Sequence, residues 1–521
     1  MLNNDDDMIK RLFVIYLSLL TSMCFAQDVN INLLKKYAEK GDEEAQYQLA
    51  ECYLNGVNVE QNYELAVKWL TKSSKKNYAP ALYLLSICYE KGIGVLADEK
   101  QAYSLCEKAC KKEYSPAYFL LGEYYRNGIH VEANLDQTLF FYLKSANNGY
   151  AHAQSVLGYL YYWGDPIIGK TKDYNSALKW FLMSAEQNDI SALYYLGEMY
   201  NDGTGVSRDL NKSLEYHYRA AQNGHDVSQQ KIGYAYFTGN GVEQNYNDAI
   251  YWFNLSANQN NAIAQYYLGV CCQFGYGVEV NYENAVQYYS LSANNGYIDG
   301  ECSLGGCYIY GIGIEKNFQQ GLMWLNKAAE QNSSQAYVWL GECYEQGWGV
   351  KKDDSIAFDY YRKATEANHP TACYKLGYYY GTGIVVNKDV KKAFEYTMIA
   401  AEAGDVEAIY NIANHYRYGE GVEQNSSLAH EWMLKAANYG HPDAMLSVAS
   451  YYYFTLFDKE KGVSWYLKAA EAGVAIAQFN VASFYSTGTV LEKDLNKSRV
   501  WLTKAANQGY EAAIKMLEEL E

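Results

Sequence analysis

The sequence is poor in proline, with five residues in 521. Proline removes a backbone donor and clashes with the preceding helical turn, so its scarcity leaves nearly the whole chain free to be helical. Positive charge is also in short supply. Lys and Arg number 43 against 60 Asp and Glu, giving a formal charge of −17 and an isoelectric point near 5.0. Such a chain gains nothing from counterion release on a polyanion, which argues against nucleic acid and anionic membrane surfaces as partners. Eleven cysteines and eight histidines are present, yet no Cys-x-x-Cys or His-x-x-x-His pair gives a metal-ligand spacing. No Gly-x-Ser-x-Gly nucleophile elbow occurs either. The expectation is no enzyme, no cofactor and no metal site.

Long apolar runs are confined to the N-terminus. Lys10 and Arg11 precede the run Leu12–Leu20, and Cys24-Phe25-Ala26 offers a cleavage point before Gln27, so 1–26 reads as an export signal. Asp5–Asp7 are wrong for the start of such a signal, which makes Met8 an alternative true start. An uncleaved anchor needs about 20 apolar residues, and this run is shorter. Ser22 and Met23 fit poorly before a lipidated Cys24, so a lipid-anchored form is not expected. The reading is a periplasmic or secreted chain with no transmembrane span once the signal is removed.

What the chain does contain is repetition. The phrase Ala-Tyr-Phe-Leu-Leu-Gly-Glu-Tyr-Tyr begins at Ala117, with variants beginning at Ala45, Ala81, Ala153, Ala192, Ser228, Ala264, Gly300, Ala336, Ala372, Ala408, Ala444 and Ala477. Ten of the intervals are 36 residues, one is 39 and one is 33. These thirteen units occupy 45–512, after a capping helix in 27–44 and before a half-repeat in 513–521.

Within a unit, an apolar residue four after the start (Leu121, Leu196, Leu340, Ile412) and an aromatic eight after it (Tyr125, Tyr200, Tyr344, Tyr416) share one face of a first helix. The small residue between them (Gly122, Gly197, Gly341, Ala413) marks a close approach of a neighbouring helix. A glycine loop such as Gly203-Thr204-Gly205-Val206 follows. It leads to Asn62, Asp98, Asn134, Asp173, Asp209, Asn245, Asn281, Asn317, Asp353, Asp389, Asn425, Asp458 or Asp494. Such a residue is a natural N-cap for a second helix. The second helices carry Trp69, Trp180, Trp252, Trp324, Trp432, Trp465 and Trp501, which this reading places on a buried seam. Pro80, Pro116, Pro370 and Pro442 open first helices, while Pro166 lies in a loop lengthened over Trp163–Gly169. The twelfth unit drops its glycine loop at Phe454–Phe457.

The unit from Ala192, with Gly203-Thr204-Gly205-Val206, Asp209 and Arg219-Ala220-Ala221, resembles the Sel-1-like repeat family, a longer-looped relative of tetratricopeptide repeats. The resemblance implies an all-α, right-handed α/α superhelical solenoid of about 13 helix pairs that assembles complexes. Cysteine-rich members bridge neighbouring units by disulfides. Here Cys110 and Cys373 lack partners, with Tyr118 and Thr365 in the matching places. Cys52, Cys88, Cys271, Cys307 and Cys343, each seven after a start, are expected to be free and buried.

The recurrent glycine loops are not phosphate loops, which need a preceding strand and a Gly-Lys-Ser/Thr ending. His225 and His441 fall near turns between units and are expected to be solvated. His130, His152, His217 and His415 are in reach of carboxylates only as any large chain allows.

By analogy with tetratricopeptide arrays, first helices line a concave face, and the position two after each start looks into it. That position holds Tyr47, Tyr83, Phe119, Tyr194, Tyr266, Tyr374, Tyr410 and Phe479. Glu51, Glu123, Glu198 and Glu342, six after their starts, form an acidic stripe beside it that attracts a basic segment. The expected function is an exported, non-enzymatic scaffold holding a protein or peptide, with a carbohydrate or cell-wall ligand as the alternative because tyrosines also stack on sugars.

Overall fold

Each of the thirteen Asn or Asp residues accepts a hydrogen bond from the first turn of the helix it opens. An oxygen on a short side chain satisfies a backbone N–H that the helix leaves orphaned, for about 1 kcal/mol per cap. Pro80, Pro116, Pro370 and Pro442 stand in the first turns of first helices, as expected. The computed structural model describes residues 30–165, 169 and 171–518. The export signal, its cleavage point and Pro166 lie outside them. Among the described residues there are 28 α-helices, one π-helical turn and no strand.

The chain divides between Ser256 and Ala257 into two compact halves. The N-terminal half opens with Ile31–Glu39 and then alternates first and second helices from Glu43–Asn55 and Tyr63–Ser74 to Asp226–Thr238. The C-terminal half runs from Ala262–Phe274 and Tyr282–Asn294 to Leu495–Asn507 and a final helix, Glu511–Glu518. In both halves packing is mainly between helices consecutive in the chain, with smaller contacts between first helices of adjacent units. The result is a helix-pair solenoid.

One contact recurs inside the units and sets how closely the pair packs. The small residue at mid first helix lies under a side chain 20 residues later in an unaltered unit. A β-carbon at Gly122 would fall 2.7 Å from the ring of Tyr142, at Gly197 2.6 Å from His217, and at Gly269 2.6 Å from Tyr289. Gly158 and Gly233 lie likewise under Phe181 and Phe253. Where the small residue is alanine (Ala50, Ala413, Ala482), the later one is Leu70, Met433 or Leu502. The exchange of size is partial, since Gly305 and Gly377 lie under the smaller Leu325 and Thr397 and Ala449 is matched with Tyr466. In each case the close approach leaves little free space.

The tryptophans are therefore one residue off the deepest seam. Trp180 and Trp252 are buried, but Trp69, Trp324, Trp432, Trp465 and Trp501 are half-buried. Each of those five lies under a lysine three residues on, at 3.8–4.9 Å from ring centroid to Nζ. A large ring is well served at the rim, where one face packs and the other meets a cation.

Polar side chains join the helices at fixed places. Ser73, Ser145, Ser184 and Ser292 donate back to carbonyls of Glu43, Ser115, Ala151 and Ala262 at 2.7 Å. Gln46, Gln154, Gln229 and Gln478 donate at 2.9–3.2 Å to carbonyls ending the preceding helix, each of which also accepts a backbone N–H from the turn that follows. The loop glycines divide their work. Gly203, at φ +73°, ends its helix in the left-handed region. Gly94 presses on the Tyr63 carbonyl of the previous unit, where no β-carbon fits. The shortened twelfth unit replaces this loop by the π-helical turn Tyr451–Thr455, leaving Phe454 and Phe457 exposed.

Candidate functional site

The eight aromatics two after each start occupy equivalent places, and most meet the residue that opens the next first helix. Ring centroids lie 5.7 Å apart for Tyr47 and Tyr78, 5.6 Å for Tyr83 and Tyr114, 6.0 Å for Phe119 and Tyr150, and 5.4 Å for Tyr266 and Tyr297. Tyr194 meets His225 at 4.8 Å, Phe479 meets Tyr510 at 5.4 Å, and Tyr410 stacks on His441 at 4.1 Å. Tyr374 instead accepts from Asn411 Nδ2 at 3.2 Å. Tyr83 and Phe119 are buried and the other six are half-buried. These rings join one unit to the next, and part of each half-buried ring stays accessible.

The four glutamates all have internal partners. Glu51 accepts from Tyr47 Oη at 2.6 Å, and Glu342 from Tyr310 Oη at 2.6 Å. Glu123 accepts from Tyr142 and lies beside Arg126; burial raises its carboxyl. Glu198 pairs at 3.0 Å with both His217 Nε2 and Lys231 Nζ. Burial alone would raise its carboxyl, but these two partners together hold it below the ordinary range. The stripe is thus partly neutralised within the fold.

The expectation that His225 and His441 are solvated is corrected. Both open first helices and accept there from a backbone N–H. His441 is buried, and burial pushes His225 down to about 4. An imidazole can cap a helix and stack on an aromatic at once, and solvent exposure would forfeit the second contact. His217, also buried, faces Ser228 at 3.3 Å on its other nitrogen.

Openings interrupt the helix surface among the described residues. One of about 290 Å³ lies between the first two units and is lined by Tyr47, Glu51, Gln61, Tyr63, Tyr83 and Tyr114 among others. One of about 250 Å³ in the C-terminal half is lined by Tyr374, Tyr378, Asn411, Asn414 and His415. Another, about 270 Å³, lies beside Leu214, Tyr218 and Tyr236. Tyr114 and Gln61 had no distinction in the sequence. The signal that marks Tyr114 is its place three before a unit start, shared with Tyr78, Tyr150 and Tyr297.

Among the described residues no group of His, Cys, Asp and Glu is arranged to hold a metal, and no helix is long and apolar enough to cross a membrane. A Gly-Lys-Thr ending does occur once in the chain, at Gly169-Lys170-Thr171. Gly164–Thr171 spells Gly-x-x-x-x-Gly-Lys-Thr, the string of a phosphate loop. It follows the helix Ala151–Trp163, where a phosphate loop follows a strand, and Pro166–Ile168 and Lys170 lie outside the described residues.

Helix pairs capped and packed in this way define a tetratricopeptide-like repeat scaffold, a class that is generally non-catalytic. The Sel1 repeat profile matches thirteen times, at residues 43–78, 79–114, 115–150, 151–189, 190–225, 227–261, 262–297, 298–333, 334–369, 370–405, 406–441, 442–474 and 475–510; the chain belongs to the Sel1 repeat family. It is similar to a protective antigen of uropathogenic Escherichia coli with an SLR fold, at 28% identity over 94% of this chain and 97% of that one, TM-score 0.64. A Sel1 repeat protein from Oxalobacter formigenes is 27% identical over 59% of this chain and 88% of its own, TM-score 0.45. Among curated proteins none matches significantly. The protein is a Sel1 repeat scaffold, a module for interaction with other proteins.

Proposed function

We propose that the chain is an exported, non-enzymatic scaffold that holds a protein or peptide ligand along its first helices. The observation that carries this reading is the placement of two cavities, one in each half, both walled by tyrosines two after a unit start: Tyr47 and Tyr83 in one, Tyr374 in the other. First helices also expose Tyr234 and Tyr378. Such rings offer large contact area at little entropic cost. The net charge of −17 favours a basic ligand through long-range attraction. Export rests on Lys10, Arg11 and the run Leu12–Leu20; the likeness to a protective antigen supports it.

The test is hydrogen exchange on the full mature chain, with and without a peptide selected from a displayed random library. Protection confined to first helices and their cavities is the expected footprint. Protection confined to second helices, or no selectable peptide beside binding on a glycan array, overturns the reading in favour of another surface or a carbohydrate ligand.

A further inference from the structure

The cavity between the first two units is built for one kind of group. Leu54, Leu84, Ile87, Ile93 and Pro116 give it apolar wall, and the rings of Tyr47, Tyr83 and Tyr114 add aromatic surface. Its one charged side chain is an acceptor, set among the Asn55 amide and tyrosine hydroxyls that can donate or accept. Glu51 contributes a carboxylate, and the Tyr47 hydroxyl beside it is already spent as a donor to Glu51 Oε1 at 2.6 Å. The amide nitrogen of Gln61 is committed to the Leu54 carbonyl at 2.7 Å, which leaves its oxygen to accept. No lysine, arginine or histidine is among the lining residues.

We propose that this cavity binds a primary alkylammonium group, the side chain of a lysine on a ligand protein or peptide. An ammonium has three donors and no acceptor, which complements these walls, and its four-carbon stem suits the apolar surface. The tyrosine rings attract the cation through their faces. A guanidinium is served less well, because its planar fork seeks both oxygens of a carboxylate, and one oxygen of Glu51 already accepts from Tyr47. The proposal deepens the reading that first helices carry the ligand, and it rests on that reading for the lysine's source.

Burial raises the Glu51 carboxyl to about 6, against the opposing pull of its Tyr47 hydrogen bond. The groups facing it are Tyr47, Tyr63, Tyr83, Tyr114 and Cys88 along the cavity, with Tyr78 against Tyr47 and Asp42, Glu43 and Glu44 acting on Tyr78. Glu51 is the one carboxylic acid among the lining residues, so the pH response of the cavity near 6 is assigned to it. An ammonium binds the ionised form, so affinity holds above that pH and falls as pH drops through it.

The test uses saturation-transfer NMR on the full mature chain with N-acetyl-lysine methylamide as probe, the norleucine and arginine derivatives as controls, and Glu51→Gln as variant. Expected are binding by the lysine derivative at pH 7.5, at least about tenfold weaker binding by the norleucine one, and loss of the lysine signal between pH 7 and 5. Glu51→Gln, which keeps an acceptor for Tyr47, should weaken binding by a similar factor with the same thermal melt. Equal binding of lysine and norleucine derivatives, a flat pH profile, or no lysine signal overturns the proposal without recourse to the variant. Stronger binding of the arginine derivative also overturns it. If selected peptides bind with no preference for lysine, this proposal fails while the scaffold reading stands. If the lysine derivative binds and no peptide can be selected, the cavity assignment stands and the scaffold reading fails.

Discussion

The ring of Tyr361 lies over Gly341 so closely that a β-carbon there would sit 2.7 Å from its Cε1. Both are buried, on the first and second helices of one unit. A methyl group at Gly341 has nowhere to go unless the ring moves. Gly341→Ala is therefore expected to destabilise the C-terminal half by about 1–3 kcal/mol, despite alanine's better helix propensity. Adding Tyr361→Leu should recover part of the loss, since alanine is matched with leucine at Ala50–Leu70 and Ala482–Leu502. Urea unfolding of the two single variants and the double measures the coupling. Additive losses would sink the size-exchange account.

The contact between Tyr410 and His441, 4.1 Å apart and nearly parallel, joins two units. Tyr410→Ala should cost about 2–3 kcal/mol. In a solenoid the loss is local, so hydrogen exchange should quicken around these units and stay unchanged near the N-terminus. A uniform rise along the whole chain would show that the halves unfold as one.

His152 and His225 are each pushed down to about 4, chiefly by burial. Both favour the neutral form in the folded state. Their contribution is fully present above the unfolded value near 6.5 and is lost as pH falls towards 4. Melting temperature measured from pH 7 to pH 4 should decline less steeply in the double variant His152→Gln, His225→Asn. The asparagine retains a cap at the second site. Equal slopes in variant and parent would contradict the assignment.

The ten described cysteines are unpaired, and all but Cys272 are buried. Burial pushes the thiols of Cys88, Cys271, Cys302 and Cys343 up to about 12, which suppresses the reactive thiolate. A thiol reagent should label at most Cys272 in the native protein and the others only on unfolding. Mass spectrometry without reduction should show no Cys52–Cys88 or Cys307–Cys343 link.

The repeat spacing, the thirteen caps and the four opening prolines were legible because each needs one residue type at one place. The deepest seam of the second helix was not. It is filled by Tyr142, Phe181, His217, Leu325, Thr397 and Met433 in different units, so no consensus marks it, and the recurrent tryptophan one residue earlier drew the assignment instead. Only the matching small residue 20 positions before shows the register. His225 and His441 misled for a related reason, since a polar residue before a helix reads as a solvated turn while its ring is covered by Tyr194 or Tyr410. The site was half legible: the tyrosines two after each start do border the cavities, but their packing on the next unit depends on residues 31 positions later.

The central claim is that first helices bind while second helices hold the fold. Binding of one selected peptide should be titrated against two sets of exposed-aromatic variants, matched in melting temperature. Tyr234→Ser and Tyr378→Ser alter first helices; Phe140→Ser and Tyr251→Ser alter second helices. The account predicts that at least one of the first pair weakens binding about tenfold or more, near 1.4 kcal/mol, and that the second pair leaves it unchanged. Weakening by the second pair with none from the first would contradict it.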